Sequence, residues 1–312
     1  MTNTLKIGSR EHKELLCRTF IDTHDPFQPA LIQWPDLDPE SLQRLRDMPV
    51  WNEATRTEAA TAVKVQSLGD TEKDPLLAEA ISLQGYEEGR HAEVLMLLTR
   101  HYGIPVAPFP PPEVPKDPTL AFLRTGYGEC LDSFFAFGLF RLGERAEVFP
   151  RSLISIFETI MQEEARHILF IVNWAAYLRA QRPVVLRPAF DAWRGWNITA
   201  QAFDRLKGAL QMAGGGDKDK DKKDASKTDE KAESAPTRDE AQDGFTLKSH
   251  SMFGDFSLRS FLETCLQENE RRLAPYDPRL LRPRLVPSVV RQVVKVLPRK
   301  SPQGAKREEK AA

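Results

Sequence analysis

One short string, met twice, restricts this chain more than any other feature. Tyr86-Glu87-Glu88-Gly89-Arg90-His91 is answered by Gln162-Glu163-Glu164-Ala165-Arg166-His167, with Glu88 to Glu164 and His91 to His167 each 76 residues apart. Each copy contains Glu-x-x-His, which on a helix stacks a carboxylate and an imidazole on one face, one turn apart. The surroundings read as helix. Leu153, Phe157, Ile160, Glu164, His167, Ile171 and Trp174 follow a 4-3-4-3-4-3 spacing, as do Leu77, Ile81, Gln84, Glu88, His91, Leu95 and Leu98. Both Glu-x-x-His pairs therefore interrupt seams that face inward. A carboxylate placed there is costly unless something neutralises it, and a bound cation would do so. One copy alone reads equally well as a chance surface pair; two in the same register do not.

Two further helices supply candidate acids. The first runs from Pro49 to about Leu68 and offers Glu53 and Glu58. Glu58 shares its row with Trp51, Ala54, Ala62 and Val65, whereas Glu53 sits with Thr57 and Lys64, so Glu58 is preferred. The helix of the first string starts at Asp74-Pro75 and stops at Gly103, where His101 in the last turn reads as a dipole cap. From Pro105 to Pro118 seven prolines mark an extended crossover. A third bundle helix, about Thr119 to Leu142, carries Glu129 in a row with Phe122, Gly126, Ser133, Ala136 and Phe140. Asp132 lies one turn on and stays open as the alternative, Glu129 having the longer reach. The fourth helix spans about Arg151 to Arg179. The expectation is an all-α protein: a four-helix bundle with one long crossover over residues 49–179, plus flanking N- and C-terminal helices. Glu58, Glu88, His91, Glu129, Glu164 and His167 then make the ligand set of a dinuclear carboxylate site, one Glu from each of two helices and a Glu-x-x-His from each of the others. Glu88 and Glu164, the two central carboxylates, are expected to bridge.

The flanks carry less. Residues 1–48 read as an arm with helices starting at Ser9 and at Asp38-Pro39, joined by a loop over Asp25 to Pro35, and no motif there attaches to chemistry. Residues 180–213 hold one more helix, Pro188 to Met212, with Trp193 and Trp196 among its apolar anchors. Residues 214–244 are almost wholly charged or small, and are expected to be a disordered linker. In residues 245–312, Ser257 caps a helix, the valines from Val289 to Val296 are expected to dock on the bundle, and a basic tail follows. The 312 residues carry a formal net charge of -1, which argues against a general attraction to nucleic acid. Three scattered cysteines without Cys-x-x-Cys exclude a disulfide scaffold and a rubredoxin-type iron site. Neither a signal peptide nor a membrane span is evident, so the expected location is cytoplasmic.

Over about Pro49 to Arg179 the chain resembles the ferritin-like di-iron carboxylate superfamily. The strings Glu87-Glu88-Gly89-Arg90-His91 and Glu163-Glu164-Ala165-Arg166-His167 look like the acid-Glu-x-Arg-His strings of its oxygen-activating members, such as bacterial multicomponent monooxygenase hydroxylases and acyl carrier protein desaturases. They depart from them in having Glu where the leading acid is usually Asp. The resemblance implies that Glu87 and Glu163 hydrogen-bond the ligating histidine of the opposite helix, with Arg90 and Arg166 neutralising them. It implies two iron ions, or manganese with iron, activating dioxygen for a small organic substrate. Electrons would come from an external donor protein, since no flavin or nicotinamide fingerprint is present. Ser133, one turn beyond Glu129, is the candidate hydroxyl for proton delivery, with a plain helix serine as the alternative. Leu95 stands where ribonucleotide reductase small subunits place a radical tyrosine, which disfavours that chemistry. The oxygenase reading is preferred over a ferritin-like iron store or peroxide scavenger, and over a metal-free binding protein with a relic site. The sequence leaves the oligomeric state open, a homodimer among the options.

Overall fold

Three Asp-Pro pairs set helix starts where the sequence places them. Asp38, Asp74 and Asp117 each turn a carboxylate onto the free N–H groups of the first turn, and the following proline occupies the position where a missing N–H costs nothing. In a computed structural model describing residues 5–214 and 257–298, with side chains of 201–214 left aside, every regular element is helical. These elements are α1 (Arg10–Asp22), α2 (Pro39–Asp47), α3 (Trp51–Thr71), α4 (Pro75–His101), α5 (Pro118–Arg145), α6 (Arg151–Gln181), α7 (Arg187–Gly214), α8 (Leu258–Leu273) and α9 (Leu285–Val296). Helix ends fall within a few residues of the sequence expectation, the scatter that fraying ends always show. Gly214, expected to open the charged linker, ends α7. The rest of that linker, the stretch Phe245 to Phe256 and the tail from residue 299 lie outside the described residues.

The four long helices α3 to α6 position the site. A tight link folds α4 back along α3, and the pairs Gln66–Gly85 and Gly69–Ser82 give an antiparallel register. Contact is close because Gly85 has no side chain: a Cβ there would lie 3.0 Å from the backbone nitrogen of Gln66. The proline-rich crossover leads to α5, which lies against α3 and runs antiparallel to α6, as Ser133 opposite Glu164 and Gly126 beside Ile171 require. α6 meets α4 through the two strings themselves.

The flanking elements pack on these four helices. α1 covers α4 and α6, where buried His12 meets Asn173 and buried Phe20 meets His167 and Phe170. The side chain of Asn173 also exchanges two hydrogen bonds with the backbone of Leu281, fastening the segment that follows α8 onto α6. α8 lies along α5, and Arg259 donates to the carbonyls of Val294 and Leu297, holding α9 in place. Two expectations need correction. Trp193 and Trp196 do not anchor α7; they are exposed, and Phe190 and Asn197 face inward instead. The valine stripe of α9 divides, with Val290 and Val294 buried but Val289, Val293 and Val296 facing out. In α9 the buried pair Val290 and Val294, four residues apart, forms one row, and Val289 and Val293 form the adjacent row, turned to solvent.

Candidate metal centre

The two strings cross at the α4–α6 contact and complete each other. Nε2 of His91 lies 2.9 Å from Glu163, and Nε2 of His167 lies 2.8 Å from Glu87. Arg90 pairs with Glu163, and Arg166 with Glu87, so each acid of one helix holds the histidine and the arginine of the other. Glutamate in the leading position thus spans the gap. A carboxylate only accepts, so both Nε2 atoms carry protons, and in a neutral ring the lone pair then falls on Nδ1.

Those Nδ1 atoms face acids. Nδ1 of His91 is 3.1 Å from Glu164 Oε1, 4.0 Å from Glu88 Oε2 and 3.7 Å from Glu58 Oε2. Nδ1 of His167 is 2.9 Å from Glu88 Oε1 and 3.9 Å from Glu164 Oε1. Despite this proximity neither Nδ1 has a hydrogen-bond partner of proper geometry, and both are buried. Oε1 of Glu129 and Oε1 of Gln84 are buried and unpartnered as well. Unsatisfied polar atoms of this kind are rare in protein interiors, and several converging at one place need a reason. Donor atoms of Glu88, His91, Glu164 and His167 lie within 4.8 Å of one another and can hold a metal ion.

The electrostatics agree. Burial pushes Glu58 up to about 8, with Glu88 and Glu164 adding to the effect and His91 opposing it. Burial, then Glu88 and Glu164, hold Glu129 well above the usual carboxylate range. Burial works against an imidazolium at His91, yet Glu163, Glu164 and Glu58 outweigh it and raise His91 well above its ordinary value; Glu88 and Glu87 do the same for His167. Glu87 behaves oppositely: burial would raise it, but His167 and Arg166 together hold it far below the usual range. Crowded carboxylates thus draw protons into the site, and a cation would displace them.

Of the acids left open by the sequence, Glu58 and Glu129 border the cluster. Gln84 links two of the acids, its Nε2 lying 3.4 Å from Glu88 and 3.5 Å from Glu129. Glu53 and Asp132 stand on the wall of the adjoining cavity. Ser133 donates to Glu164 at 3.1 Å. The N-terminal arm, read from sequence as free of chemistry, closes the outer side. His24 Nδ1 lies 2.5 Å from Glu87, the carbonyls of Asp25 and Phe27 accept from Arg90, and that of Thr23 accepts from Arg166. No periodic signal marks these residues, since they lie at and beyond the end of α1, three of them act through backbone carbonyls, and their partners Glu87, Arg90 and Arg166 belong to distant helices. No helix among the described residues is long and apolar enough to cross a membrane. Comparison with protein-family models, with curated proteins and with solved structures gives no match to this chain.

Proposed function

We propose that this chain is a ferritin-like di-iron carboxylate oxidoreductase, activating dioxygen to oxidise a small organic substrate with electrons from an external donor protein. The observation that carries the reading is the pair of buried, unpartnered Nδ1 atoms set among carboxylates, each ring fixed from behind by an acid and an arginine of the opposite helix. That arrangement is what a ligating imidazole needs. The residue set fits two ions better than one. Glu88 and Glu164 each approach both rings, as bridging carboxylates would, while Glu58 stands beside His91 and Glu129 feels the charge of His167. Four carboxylates against two divalent cations leave the buried site neutral, which removes the cost of isolated charge.

Iron ions, or manganese with iron, would supply Lewis acidity and reactivity toward dioxygen when bound. The protein's own groups do the remaining work. Glu87 and Glu163 keep both rings in the ligating tautomer. The hydroxyl of Ser133 is placed to move a proton at the Glu164 carboxylate. α1 and the arm keep water from the Nε2 side.

Aerobic titration with ferrous iron, followed by metal analysis and size exclusion, tests the reading. Uptake should stop at about two irons per chain, and a His91→Ala variant should hold far less. Mineralisation of many tens of irons per chain in a large shell would establish storage instead, and equal metal in wild type and His91→Ala would remove the site altogether.

A further inference from the structure

The cluster faces a cavity of about 290 Å³. Behind it, the Nε2 side is filled by Phe20, by the two Arg–Glu pairs and by the carbonyls of Thr23, Asp25 and Phe27. On the open side Glu58, Glu88, His91, Glu129 and Glu164 form the floor. Beyond the floor the walls carry the acids Glu53 and Asp132 and are otherwise predominantly apolar, with Trp51, Leu95, Phe140, Phe149, Phe157 and Ile160 contributed by four different helices and the α5–α6 link. Leu45 and Met48 of the α2–α3 junction and Val148 of that link line the cavity too. Among the described residues no lysine or arginine lines the cavity, and the one histidine that does is His91.

From this chamber we infer the substrate class: an uncharged, largely apolar molecule of about two fused six-membered rings, or a hydrocarbon chain of equal volume. The inference rests on the metal-centre reading for what the floor does, but not for what the walls accept. Size follows from volume, since a dry cavity of about 150 Å³ holds benzene and this one is roughly twice as large. Charge follows from the wall. An anion entering here would be stripped of water beside carboxylates with no cation to receive it, whereas an apolar body exchanges water for aromatic and aliphatic contacts. Acids gathered mainly at the floor, with Glu53 and Asp132 the acids of an otherwise mainly apolar wall, leave shape and apolar contact as the chief means of holding a ligand.

Equilibrium dialysis against three probes that share one ring system tests this, on protein purified with and without metal: naphthalene, 2-naphthoate and 2-naphthylmethylamine. Naphthalene should bind one to one, at least about tenfold tighter than the naphthoate to the metal-free protein. Ala136→Phe, which places a ring in the chamber from the α5 wall, should weaken naphthalene at least about tenfold while benzene binding persists. Ala136→Leu, a smaller intrusion, should give an intermediate loss, and metal content and helical circular dichroism confirm that either variant folds. Tighter binding of naphthoate or of the amine than of naphthalene overturns the inference, as does naphthalene binding that is indifferent to both substitutions. The two readings fail separately: protein that holds two irons but no naphthalene refutes the substrate class alone, and protein that binds naphthalene but no metal refutes the metal centre alone.

Discussion

Replacing Glu163 with glutamine keeps the shape of the side chain and removes its charge, so it isolates what the acid does behind His91. Glu163 receives the Nε2–H of His91 at 2.9 Å and the guanidinium of Arg90, and all three residues are buried to within 3%. Neutralising one member of a buried pair strands the other, which costs about 3–5 kcal/mol. Arg90 is not wholly stranded, because it also donates to the carbonyls of Asp25 at 2.7 Å and Phe27 at 3.1 Å, and its guanidinium stacks 3.9 Å over the Phe27 ring. These contacts survive the substitution and place the loss near the lower end, about 3 kcal/mol. For a chain of this size that corresponds to a fall of roughly 6–12 °C in the melting temperature of the metal-free protein. Metal affinity should fall about 10–100-fold, because the ring can then donate at best to a neutral amide oxygen, a weaker acceptor than the carboxylate that raises its basicity and fixes its tautomer.

Calorimetry of metal-free protein reads the first effect and chelator competition the second. Adding Arg90→Met removes the stranded cation, so the double variant should regain more than half of the lost stability while its metal affinity stays low. A Glu163→Gln protein that melts within about 2 °C of wild type and competes for metal as well as wild type would refute the reasoning. Recovery of affinity in the double variant would show that the arginine, and not the imidazole, was the group that mattered.

Two predictions concern other parts of the chain. α5 ends in a loop closed by the Glu147 N–H to Glu144 and the Val148 N–H to Gly143, with Glu147 exposed at φ 50°, where the equivalent turn after α4 uses Gly103. Glu147→Gly should therefore raise stability by about 0.5–1 kcal/mol in urea denaturation, the relief of left-handed strain exceeding the extra freedom of glycine in the unfolded chain; a loss would show that the turn is unstrained. His12 is held neutral: its Nδ1 accepts from the Gly8 N–H at 3.2 Å, its Nε2 lies 3.2 Å from Asn173 Oδ1, and burial lowers its pKa against the opposing Asn173 bond. The unfolded chain then binds the proton first, so the stability His12 contributes is complete above pH 6.5 and is lost as pH falls below it. Relative to His12→Gln, wild type should lose at most about 1.4 kcal/mol per pH unit on that limb and nothing above it. Urea midpoints across the range measure this, and a growing advantage of wild type toward acid would contradict it.

Much of the fold was legible because its determinants are local. Apolar spacing sets which residues share a face, and Asp-Pro pairs and Gly103 fix where helices begin and end, so the four long helices and the crossover follow from residues close together in the chain. The shared register of the two Glu-x-x-His strings likewise pointed to a paired site before any tertiary contact was known. Periodicity says nothing about how far one helix slides or turns against another. Only the packed structure decided that Glu58 approaches His91 while Glu53 lines the cavity wall, that each leading acid reaches the opposite string, and that Trp193 and Trp196 face outward. The same holds for His24 and the carbonyls of Thr23, Asp25 and Phe27, which serve the buried arginines through main-chain groups that every sequence contains. A sequence states which side chains are available on a face; the axial shift and rotation between helices, set by the sum of their packing contacts, decide which of them meet.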